Sequence, residues 1–117
     1  METIHTAELV FYVARDGKVP FLRWFNTLSN AIADRVTARL RRLVFGNPGD
    51  SRHLGEGIHE IRIHFGVGIR FYVGYDGQKI VVLLLGGDKS TQQQDIERAK
   101  EYWNDYKERR VSAKSGL

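Results

Sequence analysis

The chain has no cysteine, which excludes a disulfide framework, a thiolate zinc site and a thiol nucleophile. It also has no apolar run of the roughly 20 residues that a membrane-spanning helix needs. Residues Met1 to Thr6 lack the basic-then-apolar pattern of a secretory signal. These absences lead us to expect a soluble, cytoplasmic protein with no membrane partner. His5, His53, His59 and His64 follow no recognised ligand spacing, so no metal is expected. No cofactor is expected either. Gly66-Val67-Gly68 has no helix after it, and Gly86-Gly87-Asp88-Lys89 precedes a helix but lacks the full phosphate-loop spacing. Internal repeats and low-complexity tracts are missing as well.

What is present fits one domain spanning residues 1–117. Hydrophobic residues make up 42% of the 117, enough to build a core. Eighteen Lys and Arg against fourteen Asp and Glu leave a net charge of +4. A small basic domain points to a polyanionic partner, nucleic acid first, although a solvated basic surface gives the same sum.

The hydrophobic pattern predicts the elements. Leu9 to Ala14 reads as a strand ended by Asp16-Gly17. Pro20 suits the first position of a helix, with Phe21, Trp24, Phe25 and Leu28 at helical spacing. Ser29 or Asn30 caps a second helix whose apolar face is Ile32, Val36, Leu40 and Leu43, and Gly46 to Gly49 ends it. Asn47 to about Glu56 reads as a loop. Period-two alternation follows in Gly57 to Phe65 and again from Ile69 to Tyr75. Lys79 to Leu85 is continuously apolar, as in a strand covered on both faces. Gly86 to Lys89 reads as a break, Thr91 and Gln94 as a capping box, and Ile96, Ala99, Trp103 and Tyr106 as the buried stripe of a last helix. The tail from about residue 111 reads as frayed and flexible. The predicted class is α+β: an N-terminal strand, two helices, a three-stranded antiparallel meander and a C-terminal helix.

Burying the odd positions of the alternating strands places Glu60, Arg62, His64, Arg70 and Tyr72 on the opposite face, with Lys89 at its edge. Metal-free RNA cleavage needs such groups. A base takes the 2′-OH proton, cations hold the phosphate and an acid protonates the leaving 5′-oxygen. Arginine forks suit the phosphate, His64 suits proton transfer, and Tyr72 suits stacking or proton donation. Glu60 pairs with Arg62 or Arg70 in this reading. A polar sheet face is more often just the wet face, and a lone surface histidine more often does nothing specific. Arg35, Arg39 and Arg42 share the outer side of the second helix. They are either a solvated face or a contact for the backbone of rRNA or mRNA.

The run Leu54 to Ile63, then Gly68-Ile69-Arg70-Phe71-Tyr72, then Leu85 to Gln92 with Asp95-Ile96 and Ala99, resembles the RelE/HigB-type toxins, in their phage-derived addiction module killer branch. The likeness covers about residues 8 to 108. It implies two helices beside a curved antiparallel sheet and metal-independent cleavage of mRNA, in many members in the ribosomal A site. It also implies inhibition by a cognate antitoxin, often of helix-turn-helix type. Carried over by motif position, Arg62, Arg70 and Lys89 are the functional residues, and Glu60 shapes the site. His64 and Tyr72 rest on local geometry alone. Two other classes fit the same fold: a ParE-like gyrase poison and a non-catalytic phage-derived binding protein.

Overall fold

A computed structural model describes residues 6–115. The order is β1 (Glu8–Phe11), α1 (Pro20–Phe25), α2 (Asn30–Val44), β2 (Ser51–Gly55), β3 (Ile58–Ile63), β4 (Ile69–Asp76), β5 (Ile80–Asp88), a 3-10 turn (Lys89–Thr91) and α3 (Gln92–Ser115). Pro20 starts α1, and the Ser29 side chain caps α2, as their chemistry predicts. The class is α+β, with the expected N-terminal strand, two helices, antiparallel strands and C-terminal helix.

The sheet is wider than the expected meander. Among the described residues five strands form one mixed sheet in the order β1-β5-β4-β3-β2. β3, β4 and β5 are its antiparallel centre. β1 pairs parallel to β5, Glu8 against Ile80 through Phe11 against Leu83. β2 lies in the stretch expected as a loop and pairs antiparallel with β3. Nor do Gly86 and Gly87 break β5. They remain paired with Phe71 and Arg70, and the strand runs on to Asp88. At the other end α3 continues to Ser115, past the expected fraying point. His5 and the last two residues of the expected tail lie outside the described residues.

Both faces of the sheet are buried. On one, α1 and α2 cover Ile61, Ile63, Ile69, Phe71 and Val73. On the other, α3 lays Ile96, Ala99 and Trp103 over Ile58, Tyr72, Val82 and Leu84. Two close approaches set the spacing of these layers. The Trp103 ring lies on Gly74 and the Trp24 ring on Gly86, and a Cβ at either glycine would stand inside the ring. Trp103 also donates its indole N–H to the Glu56 carbonyl at 2.7 Å. Trp103, expected in the buried stripe of the last helix, is 2% exposed. Trp24 keeps part of its surface open.

Candidate functional site: a cationic concavity at the β3–β4 turn

The face predicted to carry the chemistry is not a wet face. α3 covers it, so Glu60 and Tyr72, which were expected beside the arginines in solvent, are fully buried. The Tyr72 hydroxyl donates to Glu60 Oε2 at 3.0 Å, and Gln92 Nε2 donates to the same oxygen at 3.0 Å. Burial first, then the Glu60 carboxylate, raises the Tyr72 phenol far above its usual range. It therefore stays protonated as a donor and offers no face for a base to stack on. Glu60 is likewise out of reach of RNA. Arg70 Nε lies 3.9 Å and Arg52 Nε 3.6 Å from its oxygens, so it orients Arg70 from beneath. This is the Glu60–Arg70 pairing the sequence offered.

The remaining predicted groups do come together. Arg62 and Arg70 are direct cross-strand partners. Beyond them the Phe65 to Gly68 turn, Arg62, His64, Arg70 and Lys89 surround one open concavity of about 460 Å³. Arg70 Nη1 donates to the Gly68 carbonyl at 3.1 Å, and its side chain is 13% exposed. Lys89 is exposed at the start of the 3-10 turn. Asp88 caps that turn by accepting from the Ser90 N–H at 2.8 Å, and the hydrogen bonds from Ser90 hold its carboxyl below the usual range. Like charges directly opposite each other destabilise a strand pair, so facing guanidiniums call for an anion.

Asp50, which the sequence reading missed, answers part of that demand. Its carboxylate is hydrogen-bonded to His64 Nε2 and lies 3.5 Å from Arg62 Nη2. The His64 bond is the main reason its pKa is lowered. His64 is 78% exposed, so its other ring nitrogen is available. Asp50 is positioned by Arg39, whose guanidinium donates to the carbonyls of Arg62 (2.6 Å), Pro48 (2.6 Å) and Asp50 (2.9 Å). Arg39 is thus a structural clamp rather than part of a solvated face. Arg35 lies over the Phe65 ring, 3.8 Å from its centroid, and Arg42 is exposed on α2. The helix stripe therefore divides into one clamp and two exposed cations, one of them over a ring. Nothing in the spacing marks Asp50, because its partners are fixed by where β2 joins the sheet.

Among the described residues no three His, Cys, Asp or Glu side chains converge to hold a metal ion, and no helix is long and apolar enough to cross a membrane. The arrangement is that of an α+β protein with a concavity lined by cationic side chains and backed by a buried carboxylate. Residues 23–104 match the model of the phage-derived Gp49-like proteins (DUF891), and the chain belongs to that family. It is similar to an uncharacterized protein of Haemophilus influenzae, 46% identical over 81 residues, which is 68% of this chain and 82% of that protein.

Proposed function

We propose that this chain is the toxin of a toxin–antitoxin pair of RelE/HigB type, an endoribonuclease that cleaves mRNA on the ribosome and stops translation. The observation that carries the reading is the facing Arg62–Arg70 pair with Lys89 and the His64–Asp50 couple around one concavity. Arg62 and Arg70 hold the scissile phosphate and the charge that builds on it. His64, oriented by Asp50, takes the 2′-OH proton. The 2′-oxygen bonds to phosphorus and the bond to the 5′-oxygen breaks. Lys89 protonates that oxygen, since an ammonium can release a proton and a guanidinium cannot. The products are a 2′,3′-cyclic phosphate and a 5′-hydroxyl end. The partners in this reading are mRNA, the ribosome and a cognate antitoxin of helix-turn-helix type.

The experiment is to induce the protein in bacteria and map new RNA 5′ ends, beside an Arg62→Ala control. New 5′-hydroxyl ends inside reading frames, absent in the control, are expected. Growth arrest without new ends would replace this reading with gyrase poisoning, and neither effect would leave a binding protein.

A further inference from the structure

The cationic concavity does not end at β4. It shares Val67 and Ile69 with a second hollow of about 350 Å³, and that hollow shares Trp24 and Gly86 with a third of about 320 Å³. The three form one trough across the ends of β4 and β5. Because Gly86 has no side chain, the Trp24 ring packs directly on β5 where the second and third hollows meet. The far end opens where β1 leaves the sheet. β1 follows β5 only as far as Leu83, so among the described residues β5 has no strand on that side from Leu84 onward. Trp24, half-buried, lines that end and meets Phe21 edge-to-face with ring centroids 5.4 Å apart. Arg23 and Arg98 flank it. Both are exposed; neither guanidinium makes a hydrogen bond among the described residues, and the charge of Arg98 favours the Asp95 carboxylate nearby. Asp95 also lines this end and accepts from Thr91 Oγ1 at 2.6 Å.

An aromatic ring beside two exposed cations is the chemistry that holds single-stranded nucleic acid, with a base on the ring and phosphates on the cations. We propose that Trp24, Arg23 and Arg98 form a second RNA subsite, which stacks one unpaired base and holds the adjoining backbone along the trough from the cleavage groups. The proposal rests on the reading that the chain takes RNA. It adds where the strand runs beyond the scissile phosphate.

The test is a titration of the full chain with a 2′-O-methyl RNA octamer, which binds but cannot be cut, followed by tryptophan emission and by anisotropy of a labelled octamer. Trp103 is buried, so saturable quenching reports Trp24. We expect quenching on binding. In an Arg23→Glu/Arg98→Glu variant we expect affinity lower by about tenfold or more, and a salt slope smaller by about 1.4, from two lost phosphate contacts on a single strand. Binding without quenching, or a double variant with unchanged affinity and slope, overturns the subsite. If that double variant still cuts mRNA like the parent, the nuclease reading stands without the subsite. If the octamer does not bind at all, the subsite falls, and the nuclease reading stands or falls by the mapped 5′ ends alone.

Discussion

Arg39 fixes three carbonyl oxygens from three segments with one guanidinium. A lysine there has one compact charge and cannot span them. Arg39→Lys should therefore cost stability, by about 2 kcal/mol for the lost charged hydrogen bonds, and should lower cleavage by letting Asp50 and His64 drift. Thermal melts and a cleavage assay on the same preparation check both; an unchanged melting temperature would reject the clamp. Gly49 belongs to the same knot, since a Cβ there would lie 2.7 Å from Arg39 Nη2. Arg62 is the cleaner probe of chemistry, because Arg70 also lies against buried Glu60. Arg62→Ala should slow cleavage on the order of 10²-fold with little change in melting. Parental rates would remove it from the phosphate site.

Trp103 joins α3 to the sheet, so Trp103→Ala should cost about 3–5 kcal/mol in a denaturant melt. Full stability would mean that α3 is held by its other contacts. The edge strand β2 makes a different prediction. His59 on β3 lies between His53 of β2, at 4.7 Å, and Tyr75, at 4.8 Å. Burial first, then His53, lowers its pKa from 6.5. The unfolded chain then takes the proton more readily, so the stability from neutral His59 is full above 6.5 and is lost as pH falls through the lowered value. Intrinsic-rate-corrected amide exchange in β2 should therefore speed up below about pH 6, and His59→Gln should remove that dependence. These elements differ in how plainly the sequence announced them. α1, α2 and α3 were legible because each has a stripe, and Ser29 caps α2; the Thr91 hydroxyl expected to cap α3 lies in the preceding 3-10 turn and donates to Asp95 instead. β2 was not, because Ser-Arg-His-Leu-Gly is short, largely polar and interrupted by a bulge at His53/Gly55, so only its pairing with β3 makes it a strand. The parallel β1–β5 pairing joins residues about 70 apart and leaves no local trace. The burial of Glu60 and Tyr72 did leave one. β4 carries Tyr72 and Gly74 on its supposedly wet side, and α3 has a stripe that needs a surface to cover. Arg62, Arg70 and Lys89 were found by motif position and do share the concavity, whereas Asp50 needed the fold.

Over the whole molecule, α3 is tied back to the first strand by a cluster at Asp105. Tyr12 donates to it at 2.7 Å, Arg15 at 2.8 Å, and Arg109 lies at 2.8 Å. The Tyr12 hydrogen bond leads in holding its carboxyl below 3.8. A depressed carboxylate adds stability that is present above its unfolded pKa and lost as pH falls through the folded value. The melting temperature should thus drop on acidification below about pH 4, and Asp105→Asn should flatten that drop. An identical slope in the variant would show that the cluster does not anchor the helix. The burial of Glu60 beneath exposed Lys89 and His64 has a genetic consequence. Groups that touch solvent can change while the chain still folds and still meets its partners. Groups beneath them cannot. In a selection for survivors of expression, escape changes should divide accordingly. Those at Arg62, His64 and Lys89 should leave abundant, silent protein. Those at Glu60, Arg39 and Trp103 should leave little protein at all, so immunoblots of the survivors would sort the reactive surface from the scaffold without an assay of activity.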